Sequence, residues 1–577
     1  MKDNKFVNII FDIGVLILSF IVIDIMVTTL FQFINIPMSI ANVIVSSIIT
    51  IAVYLFLRRK NIKRDYIYRC ISIVVAIILV IISTYLISYT YDLTADGNYY
   101  HKVAIGILNE GWNPTRQSSL DYIKDNNPEM ADEKMCLWID HYPKATWNFA
   151  ASIYSITGDI ESGKVIVFLT MISVACLVFA YLSKRHLKIW QSAIVSILLV
   201  VNPIICAQMF SYYVDGIMGL YIYAIILFLI MITDKKFDYI GDTEKWLLLA
   251  SSIIICMNIK FTGLLFSGIF SILFYLSWLY KSWKNNEFKK NIIKLTSRFA
   301  IIVVIGVVIV GFSSYVKNTI DHKNPLYPLF GEGKVDIITI MQPVSFGSKN
   351  RAEKLFESIF SKSENVLYST GEDPELKVPF TVSEEEKQGL GIPDLRIGGY
   401  GVLFSGIFII SIAILIFSII PFYKINKKIG TYILLILLGV ILTTVMLDEA
   451  WWARYSPQLY LIPIISLFVL FVIANNCSKF TKLTLNVFAI FVSVILVINC
   501  LYFIKWRIND LNIARGINKN FYYFTEEKEE EEVVNIALTS KEAYGILFYL
   551  KDRNIKYNLV PLNNSMEKQL YNFSIRY

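Results

Sequence analysis

Apolar stretches of roughly 20 residues recur along most of this chain, and short segments between them hold most of the charge. Residues 71–91, for example, contain no charged side chain. A helix rises about 1.5 Å per residue, so about 20 apolar residues cross the ~30 Å hydrocarbon core of a bilayer. Charged residues make up only 17% of the 577 residues, which excludes an ordinary soluble domain. The sequence therefore predicts a multi-pass membrane protein.

The pattern favours an all-α polytopic module over residues 1–504 with about 13 transmembrane helices. The first span has no cleavage-site pattern, and we interpret it as a retained helix. Residues 246–280 are too long for one ordinary span, so we divide them into two short passes hinged at 258–263. The predicted spans are 7–31, 38–57, 70–90, 163–183, 190–210, 215–233, 246–259, 262–280, 299–316, 401–421, 430–447, 455–473 and 484–504.

Basic clusters fall on alternate loops of this arrangement. By the positive-inside rule, those loops and the N-terminus lie in the cytoplasm. The loops 91–162 and 317–400 and the tail 505–577 then lie on the outer side. The net charge of +8 is no sign of a nucleic-acid partner, because the basic residues occupy short loops between spans. The isoleucine, lysine and asparagine content is typical of AT-rich bacterial coding sequences, and we expect the plasma membrane.

The tail 505–577 has the composition of a folded segment rather than of a span. Its middle part contains an acidic run, a short apolar strand, an amphipathic helix and another strand. We predict a small C-terminal α/β domain on the extracytoplasmic side.

Ionisable residues recur where the predicted spans reach the outer face. Asp96 follows the third span, Asp215 lies after the fifth, Lys260 lies in the hinge, and Arg454 lies before the twelfth. A charged group at the bilayer centre costs about 2.5–3.5 kcal/mol, so such residues persist where they are needed. The acids can deprotonate a hydroxyl or hold a divalent metal, and the two cations can bind a phosphate.

Each of these residues also has a purely structural interpretation. Asp96 can be an interfacial residue, and Asp215 can cap the helix that follows it. Lys260 can extend its ammonium to the lipid headgroups. Arg454, with two tryptophans beside it, can anchor an aromatic belt.

Taken in order, several local motifs resemble those of the GT-C-fold glycosyltransferases. The family's first-loop acidic motif is similar to "TADGNYYH" (94–101), and its proline-led helix is similar to "HYPKATWNFAASIYSITGD" (141–159). The second acidic position resembles "YYVDG" (212–216). Later motifs resemble "NIKFTG" (258–263), "NPLYPLF" (324–330) and "ARYSPQLYLIP" (453–463). The resemblance covers roughly residues 70–475.

Two features depart from the family pattern. The family's first-loop acid is often followed by a second acid, whereas Gly97 follows Asp96 here, which leaves metal dependence open. An additional hairpin over 7–57 also precedes the span that leads into the motif.

The resemblance implies a hexosyl- or pentosyltransferase that uses a polyprenyl-phosphate sugar donor in the membrane. The acceptor would be a glycan, a lipid or a protein at the extracytoplasmic face. Asp96 would be the catalytic base, and Asp215 would position the acceptor, help a metal or support Lys260. Lys260 and Arg454 would bind the donor phosphate. No cofactor is certain, and a divalent metal remains an open expectation. Further candidates for the substrate pocket are Tyr99, His101, His141, Tyr142 and Tyr327.

Two other functions stay open at this point. A flippase or transporter of lipid-linked glycans would place ionisable residues at mid-membrane within repeated halves, and this chain shows no repeat. A surface-glycan polymerase or ligase would share the chemistry of the transferase, so the sequence barely separates the two. No Gly-rich phosphate loop with Lys-Ser/Thr is present, which argues against an ATP-driven pump.

Overall fold

The computed structural model describes residues 4–59, 62–331, 334–335, 341–363, 373–526, 533–538, 540, 543–561, 568–570 and 573–576. Within these ranges, eleven helices are long and apolar enough to cross a membrane. The predicted helical membrane architecture is therefore confirmed, whereas the predicted number of 13 spans is not.

The helices of the first half are α1 (Lys5–Phe33), α2 (Ile40–Leu57), α3 (Ile62–Ser88), α4 (Lys102–Asn109), α5 (Ser119–Asn126), α6 (Glu133–His141), α7 (Ala145–Thr157), α8 (Val165–Arg185), α9 (Ile189–Val200), α10 (Pro203–Gln208) and α11 (Asp215–Thr233). Those of the second half are α12 (Asp242–Met257), α13 (Phe261–Lys284), α14 (Phe288–Val304), α15 (Lys317–His322), α16 (Arg351–Phe360), α17 (Glu384–Gly389), α18 (Phe404–Ile425), α19 (Lys427–Val445), α20 (Leu461–Asn475), α21 (Lys479–Glu526) and α22 (Gly545–Lys551).

The predicted span 190–210 is divided into the 12-residue α9 and the short α10. Asn202 caps α10 by accepting a hydrogen bond from the Ile205 amide at 3.1 Å. Pro203 occupies the first turn, where its missing N–H costs nothing. These two residues start a new helix, so a continuous span cannot form here.

The hinge predicted at 258–263 corresponds to a break between α12 and α13. The Asn258 amide donates to the carbonyls of Ile254 and Gly306, at 2.8 Å each, and so ends α12. Gly263 lies so close to α12 that a Cβ there would be 2.0 Å from the Cys256 carbonyl oxygen. Lys260 has extended backbone and lies between the two helices.

Helix α1 lies inside the bundle and packs on α2, α3, α7, α8 and α12. Its two acids are buried and partnered. Asp12 pairs with Arg58 at 2.7 Å and accepts a hydrogen bond from Tyr54 at 2.9 Å, while Asp24 accepts one from Ser152 at 2.9 Å. A buried charge needs such partners. The acids of the first span are thus explained by its interior position.

The predicted C-terminal α/β segment is present as a four-stranded sheet with α22. The strands are β1 (Val534–Leu538), β2 (Tyr557–Leu559), β3 (Lys568–Leu570) and β4 (Phe573–Arg576), in the order β2-β1-β4-β3. β1 runs parallel to β2 and antiparallel to β4, with Ile536 opposite Leu559 and Ile575. Residues 527–532 of the predicted acidic run lie outside the described residues.

Helix α21 passes through the predicted domain boundary at residue 504 without a break. Ala514 and Ile517 remain buried beyond it, so packing continues to favour the helix after the apolar stretch ends. The boundary itself stays a prediction.

Helix α22 packs against the segment that carries "TADGNYYH". The Phe548 ring fills the space beside Gly106, and Tyr549 meets the Tyr91 ring edge-on at 5.3 Å. Lys551 pairs with Glu110 at 2.8 Å. The C-terminal segment therefore lies at the same end of the bundle as Asp96.

We expect Phe548→Ala to loosen this contact, because Phe548 is fully buried and Phe→Ala in a core costs about 3–5 kcal/mol. Hydrogen exchange in α22 and α4 should accelerate together, and the thermal midpoint of the detergent-purified protein should fall. Ile508→Ala, at an exposed position of α21, serves as the control. Unchanged exchange in both helices would contradict the packing role.

Candidate active site

The turn that carries Asp96 is stabilised by Asp92, a buried carboxylate four residues earlier. Asp92 accepts hydrogen bonds from the Thr94 amide at 2.8 Å and from the Tyr212 amide at 2.7 Å. A Cβ on Gly97 would lie 2.1 Å from the Asp92 carboxylate, so this turn requires glycine. A π-helical turn over Gly97–His101 follows. The result is an Asp96 side chain that keeps 35% of its surface exposed.

A closed polar cluster lies behind this turn. Glu161 pairs with both Lys102 and Lys164, and all three side chains are fully buried. Lys102 also donates to the Asn98 side chain at 2.9 Å, and Lys164 donates to the Thr90 carbonyl at 2.7 Å. The cluster joins the end of α3, the "TADGNYYH" turn and the start of α8. This cluster therefore stabilises the backbone of the turn that contains Asp96.

Asp215 begins α11 and is almost fully buried. Lys260 contacts one of its carboxylate oxygens at 2.8 Å, and Arg454 contacts the other at 3.4 Å. The Gln208 side chain accepts a hydrogen bond from the Gly216 amide at 2.9 Å, which holds the start of the helix beside Asp215. Both carboxylate oxygens of Asp215 therefore contact cations, and Asp215 orients Lys260 and Arg454.

Arg454 is surrounded by three carboxylates. Its Nε lies 2.8 Å from Asp394, and its Nη1 lies 3.4 Å from Asp215 and 3.6 Å from Asp96. Trp452 donates to Asp394 at 2.9 Å and so fixes the carboxylate that orients the guanidinium. Arginine suits this position because its planar fork addresses several oxygens at once.

Aromatic rings enclose the two cations. The Lys260 ammonium lies 3.7 Å from the centre of the Tyr455 ring. The Arg454 guanidinium lies 4.5 Å from the Tyr213 ring centre and 4.9 Å from that of Tyr455. Such contacts stabilise a cation more strongly where water is excluded. The rings thus stabilise the cationic forms of Lys260 and Arg454 in a largely buried site.

Tyr142 and His101, two of the predicted pocket residues, lie beside this group. The Tyr142 ring stacks near Trp147, with ring centres 6.0 Å apart, and Trp147 donates to His101 Nδ1 at 2.7 Å. Burial lowers the pKa of His101 to about 3, so its ring is neutral near pH 7. Tyr99, a third candidate, donates to Asp132 at 3.0 Å.

His141 and Tyr327 belong to a separate aromatic cluster. The His322 ring stacks on Tyr327 at 3.8 Å, and His141 shares a 2.6 Å hydrogen bond with Asn318. Within the described ranges, no hydrogen bond or ion pair joins these residues to Asp96, Asp215, Lys260 or Arg454. The structure therefore divides the predicted pocket residues among three places: His101 and Tyr142 beside the charged group, Tyr99 at Asp132, and His141 with Tyr327.

Asp394 is the main residue that the sequence interpretation did not include. It lies shortly before α18, on the same side as Asp96, but no local motif marks it. Tyr213 lies two residues before Asp215 in "YYVDG", and Tyr455 directly follows Arg454 in "ARYSPQLYLIP". Their position beside Asp215 and Arg454 was the available signal.

The surroundings of Asp96 make it a weak acid that titrates near neutrality. Burial raises its pKa most, Arg454 opposes that effect, and Asp394 and Asp215 raise the pKa further, to about 6. A carboxyl group with such a pKa can accept a proton during a reaction near pH 7. Among the four predicted residues of the centre, it is also the most exposed.

The pH dependence follows directly from this value. If Asp96 accepts a proton in the reaction, the rate should fall about tenfold per pH unit as the pH drops below about 6. Above that pH the carboxylate is ionised, and this limb of the profile should be flat. A pH–rate profile in proteoliposomes checks this. A rate that stays constant from about pH 4.5 to about pH 7 would contradict the assignment.

In the part of the chain that the structure describes, no group of three or more His, Cys, Asp or Glu residues is arranged to hold a metal ion. The three carboxylates of the site surround Arg454 instead. A divalent metal stays an untested expectation.

Known proteins give the following comparisons. No protein-family model matches the chain, and no curated protein matches it. Two solved structures of ArnT from Cupriavidus metallidurans are similar, each at 10% identity and a TM-score of 0.46. The match to the apo structure covers 85% of this chain and 85% of the ArnT chain. The match to the structure bound to undecaprenyl phosphate covers 87% of this chain and 97% of the ArnT chain. At this identity and TM-score, the likeness assigns no function to the chain.

Proposed function

We propose that this protein is a membrane glycosyltransferase that moves a sugar from a polyprenyl-phosphate donor to an acceptor hydroxyl at the extracytoplasmic face. The observation that carries the proposal is one partly exposed carboxyl, Asp96, beside two buried cations, Lys260 and Arg454. The ordered motifs that resemble the GT-C-fold glycosyltransferases support the same reaction. Asp96 is the base, and the cations are the phosphate-binding groups.

The reaction is a single displacement at the anomeric carbon. The acceptor oxygen forms a bond to that carbon, while the bond between the carbon and the lipid phosphate oxygen breaks. Asp96 takes the proton of the acceptor hydroxyl, and the electron pair of the broken bond stays on the phosphate. The configuration at the anomeric carbon is inverted. Most of the rate gain comes from positioning and from stabilising charge.

Lys260 and Arg454 neutralise the departing phosphate. Each is already oriented by a carboxylate, so little side-chain freedom is lost when the phosphate arrives. Asp215 holds both cations, and Asp394 holds Arg454 from the opposite side. These two acids act as positioning residues.

The experiment is transfer from a radiolabelled polyprenyl-phosphate sugar in proteoliposomes that also contain a crude lipid and glycan extract as acceptor. Label that moves from the donor lipid to a more polar product supports the transferase. Label that stays on the donor but moves between leaflets would overturn the proposal and favour a flippase. Label that remains on the donor in its original leaflet would also count against the transferase.

Lys260→Ala should weaken donor binding more than it slows the chemical step. A hydrogen bond to a charged group contributes about 1.5–3 kcal/mol, so we expect the donor KM to rise about 10- to 100-fold. Lys134→Ala, at an exposed position of α6 outside the site, is the control. An unchanged KM with a large loss of kcat would mean that Lys260 does not bind the donor's ground state.

A further inference from the structure

An apolar cavity lies within the membrane module, and its lining includes none of Asp96, Asp215, Lys260 or Arg454. It has a volume of about 650 Å³ and is walled by α2 and α3, with α1 as its floor and the end of α7 as its upper edge. Leu16, Val43, Ile77 and Val80 are typical of its lining. A volume between about 300 and 1,000 Å³ is usual for a ligand pocket. We call this cavity the hairpin groove, because the additional hairpin α1–α2 forms much of it.

The hairpin groove opens toward the lipid. In their most apolar windows, 61% of α1 is buried, but only 22% of α2 and 17% of α3. The groove is therefore continuous with the membrane-facing surface of the two most peripheral N-terminal spans. Among its lining residues, only Asp159 carries a charge. A hydrocarbon chain can enter sideways from the bilayer without crossing a polar barrier.

The length of the groove argues for a long chain. Lining residues on α3 run from Ile73 to Ser88, a rise of about 22 Å. One leaflet contributes about 15 Å of the hydrocarbon core. An acyl chain that stays in its leaflet would fill only about two-thirds of that length. A polyprenyl chain, which extends past the midplane, can fill all of it.

One cation lies at the mouth of the groove, beside Asp159. The hydroxyls of Thr84, Ser88 and Thr157 also lie there, but they donate to backbone carbonyls nearby, so the guanidinium of Arg553 is the partner for a phosphate headgroup. The Arg553 guanidinium lies 3.8 Å from Asp159, with a quarter of its side chain exposed. At 3.8 Å this ion pair is loose, so an arriving phosphate can share the guanidinium.

We propose that the hairpin groove binds the polyprenyl chain of a second lipid-linked substrate, with its phosphate at Arg553. In combination with the proposed function, on which this assignment of role rests, the acceptor is then a polyprenyl-linked glycan. The mouth of the groove is linked to the turn that carries Asp96. Ser88 lies eight residues before Asp96 in the chain. Asp159 lies two residues before Glu161, whose carboxylate accepts a hydrogen bond from the Asp92 amide at 3.1 Å.

The test uses a photoreactive polyprenyl phosphate on the full-length protein in nanodiscs, with crosslinked peptides mapped by mass spectrometry. We expect crosslinks within 43–51 and 73–88 in the wild type and in Lys260→Ala, whose donor site is weakened. Ala76→Trp fills the groove and should lower these crosslinks at least about fivefold. Ile78→Trp, on the exposed face of the same helix, should leave them unchanged.

A second variant tests the mouth without filling the groove. Arg553→Gln should reduce crosslinking of the polyprenyl phosphate but not of the uncharged polyprenol probe. Equal loss in Ala76→Trp and Ile78→Trp, or equal competition by a short-chain phosphatidylglycerol, would overturn the proposal. Crosslinking needs no sugar transfer. If sugar transfer fails while crosslinking in the groove persists, the result therefore contradicts the proposed function but not the binding of a polyprenyl chain in the groove.

Discussion

Asp96→Asn is expected to lower transfer about 10²- to 10⁴-fold, the range that a general base contributes. The amide keeps the size of the side chain but cannot take the acceptor's proton. Asp96 makes only one described ion contact, at 3.6 Å to Arg454, so its replacement should leave the fold intact. Initial rates at saturating donor, together with the thermal midpoint, measure both expectations.

Asp448→Asn is the matched control for this variant. Asp448 lies at the same end of the bundle and is 61% exposed, where it pairs with Arg351. Its replacement should change transfer less than about twofold, because exposed ion pairs contribute little. Full activity in Asp96→Asn would mean that "TADGNYYH" only connects a helix to its loop, and the base would have to be sought at Asp215 or elsewhere.

Arg454→Lys should cost nearly as much, about 10²- to 10³-fold in kcat/KM. A single ammonium cannot contact Asp96, Asp215 and Asp394 together, as the guanidinium does. The acid limb of the pH profile should also move to higher pH. Arg454 lowers the pKa of Asp96, so a weaker contact lets that pKa rise above about 6.

Arg351→Lys is the control for Arg454, since Arg351 is about half exposed and also pairs with an aspartate. It should keep both the rate and the position of the acid limb. If Arg454→Lys lowers the rate but leaves the acid limb of the pH profile in place, Arg454 does not act on the pKa of Asp96.

Much of the site could be predicted because it depends on which side of the membrane each helix ends. Asp96, Asp215, Lys260 and Arg454 each lie at a helix boundary, and the order of the boundaries brings them to one end of the bundle. His101 belongs to the π-helical turn after Asp96, and Tyr142 directly follows α6, so the motifs already indicated where both would lie. Their role as substrate-pocket residues stays a prediction.

Other features could not be predicted, since they depend on packing between distant segments. Asp394 precedes α18 in a loop without a motif, and its role appears only when Trp452 and Arg454 meet it. Hydropathy also gave no reason to end α9 at Val200, because Asn202 and Pro203 act through capping and backbone geometry. Likewise α21 continues after its apolar stretch because buried side chains beyond it still have partners.

The position of α22 has a consequence for the order in which the protein matures. "TADGNYYH" leaves the ribosome more than 400 residues before α22 does. Yet Gly545 packs so closely behind the turn that carries Asp96 that a Cβ there would lie 2.9 Å from the Asn98 carbonyl oxygen and from the Lys102 side chain. Domains generally fold as synthesis proceeds, from the N-terminus onward. Here the turn gains its contact with α22 only after the last described helix has been made, so a nascent chain still being inserted into the membrane lacks this packing behind the candidate site.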